Sequence, residues 1–306
     1  MPVLPTTTAA IGQAKTGSHK SQTVTMGPLT SCLLKAEEML GKDRVWRAIN
    51  ELQSSFLLKF FNDIARGDIA KIPELEAIAS FKVDEVNTFM KDRGFPIELA
   101  PLQRGDFAVA SVLNVLVEWL VAGEVTSVHR GRYPAVKLGK RNMLRYYTSP
   151  SNSHPIVQIP TKSGDWVYMT VVGHPPAGFG LVELAQELNR TSLPNDQFGD
   201  VIFPMADYDR KIDISWLVGL ATTDTQGDDW EITEALQQTR FRMNQLGARA
   251  QSAAAMSFMK MGMAEQKPDL VIDQPFLIWI TRDGLSQPLL TGFMAEDCWK
   301  NPGNLS

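Results

Sequence analysis

The feature that most constrains the fold is a pair of apolar segments near the C-terminus. Residues 276–280 read Phe-Leu-Ile-Trp-Ile, and they are joined to the apolar residues 289–294 through a turn that contains Arg282-Asp283-Gly284. Two short apolar runs around a glycine-containing turn predict a β-hairpin. Because both runs are apolar on both faces, we expect this hairpin to lie centrally in a core.

Helical patterns precede these strands in the chain. Apolar residues recur at helical spacing over residues 28–40, with Gly41 as a stop signal, and again over residues 44–64. Residues 81–89 fit either a strand or a short helix. Residues 107–121 are dense in Val and Leu, which favours a buried strand, although their length also permits a helix.

A second hairpin pattern lies in the middle of the chain. Residues 156–160 and 166–172 are apolar and flank the turn at residues 162–165, and residues 181–188 follow as an amphipathic helix. Since helices come early and strands late, the order of elements predicts an α+β fold with antiparallel sheets.

The chain divides into a tail and one domain. Residues 1–24 are rich in Thr, Ser, Gly, Ala and Lys and show no apolar period, which predicts a flexible N-terminal tail. The full chain has 306 residues and is 44% hydrophobic, enough for a sizeable core. We therefore expect a single domain over residues 25–306.

Charge and composition exclude several classes of partner. The net charge is −4, whereas a nucleic-acid-binding surface usually shows a basic excess or stripe. No run approaches the roughly 18 apolar residues that span a bilayer, and no secretory signal is visible. We expect a cytoplasmic monomer with Cys32 and Cys298 as reduced thiols, and neither nucleic acid nor a membrane as its partner.

The sequence shows no pattern of a catalytic or metal site. No histidine has the i, i+4 partner of a helical zinc site, and no Cys-x-x-Cys occurs. A nucleophile elbow, a P-loop and a dinucleotide fingerprint are also absent from the sequence. We therefore predict that the chain is not an enzyme and has no catalytic residues, metal or cofactor.

The most informative segment is residues 247–256, Gly-Ala-Arg-Ala-Gln-Ser-Ala-Ala-Ala-Met. Its composition fits an exposed helix, a flexible linker or an adaptable Met-rich surface. Residues 240–244, however, alternate polar and apolar, which predicts a strand that runs directly into Gly247. The same alternation, continued, places small side chains on one face and Arg249 and Gln251 on the other. A strand that slips between two others needs small groups on its inner face, because overpacking costs roughly 1–3 kcal/mol per site.

At this point the sequence resembles the serpin family, and the resemblance extends from about residue 25 to residue 302. The matching fragments keep the family's order along the chain. They are Gly27-Pro28-Leu29-Thr30 with Met39-Leu40-Gly41, Gly94-Phe95-Pro96-Ile97, residues 160–169, residues 269–280, and residues 289–294 with Asn301-Pro302.

The resemblance implies a fold and a function. The implied fold is α+β, with N-terminal helices packed on a large mixed or antiparallel sheet, smaller sheets, and an exposed reactive-centre loop over about residues 247–268. The implied function is inhibition of a serine or cysteine protease, which attacks the loop as a substrate before the cut loop inserts as an extra strand. The alternative is a non-inhibitory binding protein with the serpin fold.

The resemblance also implies roles for single residues in the loop. The family's spacing from hinge to scissile bond places the reactive bond at Met261-Gly262, and a slip of one residue gives Lys260-Met261. The implied hinge residues are Gly247, Ala248, Ala250, Ser252, Ala253 and Ala254.

The sequence departs from the family pattern in several places. The family's first helix is missing, and so is one element in the middle of the chain. If residues 111–116 are the central strand beside the insertion site, Asn114 matches the family's buried Asn and helix F is lost. If residues 112–123 are helix F, the strand is lost. Gln245 stands where inhibitory members usually carry Glu, and Ala248 where they carry Thr or Ser.

Overall fold

The computed structural model describes residues 20–115, 117–248 and 267–305. Four α-helices lie in this part of the chain, and π-type turns at Leu57–Phe61 and Ile64–Asp68 follow the second. The helices are α1 (Met26–Leu40), α2 (Glu51–Phe56), α3 (Val83–Asp92) and α4 (Gly180–Thr191).

Strands make up most of the remaining described residues. They are β1 (Gln22–Val24), β2 (Leu75–Ser80), β3 (Ala108–Leu113), β4 (Val117–Glu118), β5 (Glu124–Val128), β6 (Tyr133–Leu138), β7 (Arg145–Ser149), β8 (Asn152–Pro160), β9 (Trp166–Val171), β10 (Leu193–Pro194), β11 (Val201–Pro204), β12 (Ala206–Ile212), β13 (Ala221–Thr223), β14 (Asp229–Glu231), β15 (Gln237–Met243), β16 (Gly247–Ala248), β17 (Leu270–Val271), β18 (Phe276–Thr281) and β19 (Leu290–Met294).

The first two predicted helices are present, with one shifted boundary. The helix predicted over residues 28–40 is α1, and Gly41 ends it with a φ of 103°, a conformation that glycine adopts without strain. The second helix begins at Glu51 and not at residue 44. Asn50 is extended, and its side-chain oxygen accepts a hydrogen bond from the backbone N of Gln53 at 2.9 Å, which marks a helix start.

Residues 81–89 and 107–121, for which the sequence allowed either a strand or a helix, take different forms. The first becomes the helix α3, which buries Val86 and Met90 against β3. The second becomes strands β3 and β4, and no helix lies between α3 and β3. Of the two alternatives, the chain therefore keeps the strand, as β3 and β4, and lacks the helix that the family pattern has before it.

A seven-stranded antiparallel sheet forms the largest layer, in the order β1, β19, β18, β9, β8, β7, β10. It contains both predicted hairpins, β8–β9 and β18–β19. Residues 276–280 are at most 2% exposed. On one face, Leu181 and Leu188 of α4 pack with Leu277 and Trp279, and the opposite face of β18 joins the largest core cluster. The predicted central position of this hairpin is confirmed.

The predicted N-terminal tail ends earlier than residue 24. Gln22–Val24 pair with β19 as its outer neighbour, and Thr23 is 3% exposed. The backbone N of Ser21 donates to the Asp297 carboxylate at 3.1 Å, which fixes the entry to this strand. Residues 1–19 lie outside the described part.

A smaller mixed sheet lies beside the large one, in the order β17, β11, β6, β5. β17 runs parallel to β11, and the other neighbours are antiparallel. β17 is also the first strand after residues 249–266. No helix within the described residues is long and apolar enough to cross a bilayer.

Two further two-stranded antiparallel sheets, β2–β3 and β12–β15, do not form one continuous sheet. α1 packs against both strands of β2–β3. The only strand between these two strand pairs in the described structure is the two-residue β16, which pairs with β4. This divided sheet positions the candidate site.

Candidate functional site

Gly247 and Ala248 lie between β4 and Asn244, the residue that follows β15. After Asn244 the chain makes a two-residue turn, so that Gly247 returns alongside Asn244 with backbone N–O distances of 3.0 and 3.2 Å. On their other side, Gly247 and Ala248 pair antiparallel with β4. The first residues of the predicted reactive loop therefore already occupy the position of a middle strand.

The backbone at Gly247 requires glycine. Its φ is 119°, a conformation that residues with a side chain rarely adopt. A Cβ here would lie 2.4 Å from the carbonyl oxygen of Val117 and 2.6 Å from the Cα of Glu118. The absence of a side chain lets β16 approach β4.

Trp119 packs against the turn at residues 244–247 and holds it in place. Its side chain is 2% exposed, its Nε1 donates to the carbonyl oxygen of Asn244 at 3.0 Å, and its ring meets Phe203 edge-on at 5.9 Å. The Asn244 side chain accepts a hydrogen bond from the backbone N of Leu246 at 2.8 Å. Sequence reasoning did not single out Trp119, because nothing local distinguishes it from any other core tryptophan.

A cleft of about 1040 Å³ continues below Gly247 between β3 and β15. Residues 108–113 and 237–242 form its two walls, and Leu29, Cys32 and Leu33 of α1 lie at its floor. Within the described structure, β3 pairs only with β2 and β15 only with β12. Each wall therefore presents an unpaired strand edge, which is a template for another strand.

Two contacts connect opposite sides of the cleft near its outer face. The Arg240 guanidinium of β15 donates to the carbonyl oxygen of Gly94 at 3.0 Å, and the Glu234 carboxylate accepts from the backbone N of Ala100 at 2.9 Å. Both partners belong to the segment that connects α3 to β3. A strand that fills the cleft has to displace or slide beneath these contacts.

Asn114 does not occupy the buried position that the resemblance implied. It lies after the end of β3, its side chain is exposed, and its backbone N donates to the carbonyl oxygen of Glu74 at 3.1 Å. The strand is interrupted between β3 and β4, where no described neighbour covers its cleft side. The Asn is consequently open to solvent.

An ion-pair network ties the β2–β3 strand pair to the seven-stranded sheet. Arg282, after β18, donates to the Glu74 carboxylate at 2.7 and 2.9 Å and to the Asp165 carboxylate at 2.7 Å. Asp165 is 1% exposed. The hydrogen bond from Arg282 lowers the pKa of Glu74, and the two carboxylates raise the pKa of Arg282. This network holds one wall of the cleft in place.

The predicted turn at residues 162–165 supports the same region. The backbone N of Lys162 donates to the carbonyl oxygen of Glu118 at 2.9 Å, and their side chains form an ion pair at 3.1 Å. Thr161 forms an isolated bridge with Trp119. The β8–β9 hairpin therefore holds β4 against the turn that carries Gly247.

The structure places only part of the predicted site. Gly247 and Ala248 are brought to the top of the cleft. The side-chain Oε1 of Gln245 is buried and has no hydrogen-bond partner among the described residues. Other predicted hinge and reactive-bond residues lie outside the described residues: Ala250, Ser252, Ala253, Ala254, Lys260, Met261 and Gly262.

Cys32 and Cys298 are free thiols. Burial raises the pKa of Cys32 to about 12 and that of Cys298 to about 11. Thiols with such values are weak nucleophiles at neutral pH. Among the residues that the structure describes, no three His, Cys, Asp or Glu side chains are grouped as metal ligands.

Known structures match the chain over most of its length. The thermophilic serpin tengpin in the native state superposes with a TM-score of 0.53 at 13% identity, covering 90% of this chain and 89% of that one. Native protease nexin-1 with heparin superposes with a TM-score of 0.50 at 11% identity, covering 89% and 98%. No protein-family model and no curated protein sequence matches the chain. These superpositions, together with the helices and sheets of the described residues, show that the chain has a serpin-like α+β fold.

Proposed function

We propose that the chain inhibits a serine or cysteine protease by offering its loop as a substrate and then inserting the cut loop as a strand. The observation that supports this most strongly is the position of Gly247 and Ala248 between the two strand pairs, at the top of the cleft. The loop would complete a sheet that is divided below this point.

The pairing of Gly247 and Ala248 defines a register for insertion. Gly247 is opposite Glu118, and Ala248 is opposite Val117. Continued along the cleft, this register would bring residue 257 opposite Ala108, the first residue of β3. Met261 would then lie beyond the far end of the cleft, so a protease still bonded to it would be carried across the molecule.

The same register accounts for the small residues of the segment. If the loop continued alongside β15 from the Asn244–Gly247 bridge, Ala250 would lie opposite Phe241 and Ser252 opposite Thr239. These two side chains are 7% and 8% exposed and face the interior. Residues that are directly opposite in antiparallel strands share a face. Small groups would thus point inward, and Arg249 and Gln251 would point outward.

The reactive bond follows from the implied spacing and determines the class of target. Cleavage at Met261-Gly262 suits a protease with an apolar primary pocket, whereas cleavage at Lys260-Met261 suits a pocket with a carboxylate at its base. Mass spectrometry of the cut chain distinguishes the two bonds. The domain that carries the loop is proposed to act as a monomer.

The test is incubation with a panel of serine and cysteine proteases, followed by denaturing electrophoresis. We expect a covalent complex that survives denaturation. Ala254→Arg places bulk on the inward face and should convert the chain into a substrate that is cut without complex formation. The matched control Gln251→Arg adds the same side chain on the outward face and should still form the complex.

Two results would contradict the proposal. One is cleavage of the unaltered chain by every attacking protease without any complex, which supports a non-inhibitory serpin-fold binding protein. The other is equal complex formation by both arginine variants, which would mean that the inward face of the segment does not control the reaction.

A further inference from the structure

Three exposed positive residues lie close together in the sequence after β6. Lys140, Arg141 and Arg145 fall within six residues, and all three are exposed. No ion pair or side-chain hydrogen bond to them occurs among the described residues, although Arg145 lies 5.2 Å from the ring centre of Trp166. Within a chain of net charge −4, these three residues, called the basic patch (Lys140, Arg141 and Arg145), form a local concentration of positive charge.

The basic patch borders the point at which the loop rejoins the domain. Lys267 is the first described residue after the loop, and its Nζ forms an ion pair with Asp196 at 2.5 Å. The hydrogen bond and the charge of Lys267 lower the pKa of Asp196, and the charge of Lys140 adds to this effect. The backbone N of Gly199 donates to the carbonyl oxygen of Pro268 at 2.9 Å, which anchors the loop end at this place.

A pocket of about 560 Å³ lies between the basic patch and the loop end. Lys140, Arg145 and Lys267 contribute its positive groups, and Tyr146 and Phe198 contribute an aromatic wall with ring centres 5.5 Å apart. The Asp196 carboxylate belongs to the pocket and is paired with Lys267. The remaining cations are available to an acidic partner.

We propose that the basic patch is a docking surface for the target protease, and that it selects a protease with carboxylates beside its active-site cleft. The inference rests on the proposed function, because a protease bound to the loop would face the part of the domain that holds the loop end. Lys140 and Arg145 would receive acidic side chains at the pocket, and Arg141 would extend the contact.

Such a surface acts mainly on the rate of association. Complementary charges at the rim of an interface steer encounter and raise association rates by roughly 10- to 1,000-fold at low salt. The effect is screened when the Debye length falls from about 10 Å at 0.1 M salt to about 3 Å at 1 M. Salt dependence therefore separates docking through the basic patch from recognition of the loop itself.

The experiment compares the unaltered chain with K140Q/R141Q/R145Q. The readout is the second-order rate at which each protease attacks the loop, counted as cut chain plus covalent complex. We expect an approximately tenfold decrease at 0.05 M salt for proteases with acidic surroundings, and less than a twofold decrease at 1 M. The control K42Q/K91Q/R104Q removes three exposed cations from other elements and should change the rate less than twofold.

The outcomes separate this inference from the proposed function. An unchanged rate in K140Q/R141Q/R145Q, or an equal decrease in the control, overturns the docking surface even where complexes form. If cleavage of the loop depends on the basic patch but no covalent complex forms, the proposed inhibition is overturned and the docking surface is supported. Loss of retention on a sulfated-polysaccharide column, with an unchanged protease rate, would assign the patch to an anionic polymer and overturn the inference. Failure of every protease to attack the loop overturns both.

Discussion

The seven-stranded sheet and the divided sheet use similar strands in opposite ways. In the first, each inner strand has a hydrogen-bonded neighbour on both sides, and residues 276–280 of β18 are at most 2% exposed. In the second, β3 and β15 each have one neighbour and face each other across a cleft. The first arrangement is complete as it stands, whereas the second gains hydrogen bonds and packing only when another strand arrives.

This difference indicates where the molecule can change. A complete sheet resists opening, because every backbone group that leaves it loses a partner. An incomplete sheet offers unpaired groups to any segment of suitable shape. In this chain the segment that begins at Gly247 is attached at the top of the cleft, so it is the nearest candidate.

The largest expected effect comes from a matched pair of valines in the two sheets. Val157→Ala in β8 should reduce the free energy of unfolding by about 2–3 kcal/mol, because this side chain is fully buried and its loss leaves a cavity. Val109→Ala in β3, at the partly exposed wall of the cleft, should cost about 1 kcal/mol or less. Denaturant unfolding measures both, and equal losses would contradict the contrast between the sheets.

The next effect concerns the network that holds the cleft wall. Arg282→Gln leaves the buried Asp165 and Glu74 without their cation, and should cost about 2 kcal/mol at neutral pH. Arg190→Gln serves as the control. Its guanidinium pairs with Glu187 on the surface and is 74% exposed, so it should cost less than about 0.5 kcal/mol.

The same network predicts a pH dependence. The pKa of Glu74 in the folded chain is below its unfolded value, so its contribution is present above the unfolded pKa and is lost as the pH falls through the folded pKa. The stability difference between the unaltered chain and Arg282→Gln should therefore shrink in acid. Unfolding midpoints between pH 7 and pH 3 measure it, and a constant difference would contradict the role of Glu74.

An effect of similar size but confined to one turn is expected at the hinge. Gly247→Ala should cost about 1–3 kcal/mol, because it combines a positive φ with contacts of 2.4 and 2.6 Å to β4. Gly105→Ala is the control: Gly105 has a similar φ of 99°, but an added Cβ would meet no atom within 4 Å. Its cost therefore measures the backbone strain without the close contacts. Amide exchange at Trp119 and Gly123, which donate to the carbonyl oxygens of residues 246 and 245, should accelerate only in Gly247→Ala.

The smallest effect concerns the thiols. With a pKa of about 12, Cys32 is a thiolate in fewer than about one in 10³ molecules at pH 8. Alkylation should therefore be slow in the folded chain and rapid for both cysteines after denaturation. Alkylation of Cys32 in the folded chain at the rate of a free thiol would contradict this prediction, because it would show that the floor of the cleft is open to solvent.

Much of the fold could be predicted from local patterns, and the site only in part. The hairpin at residues 276–294 and the helix at residues 28–40 follow from periodicity and turn signals. The role of Trp119 does not, because it depends on Asn244, 125 residues away. The Arg282–Glu74 pair spans 208 residues. Contacts between residues so far apart in the chain produce no local sequence pattern. Gly247 and the small residues that follow it do form such a pattern, so this part of the site could be predicted.

The most direct test is amide hydrogen exchange before and after the loop is cut by a protease. We expect amides of residues 108–113 and 237–243 to become more protected in the cut chain, because the inserted loop would pair with both walls of the cleft. Amides of β8, β9 and β18 should keep their protection and serve as the internal reference. Unchanged exchange along both walls after complete cleavage would contradict insertion.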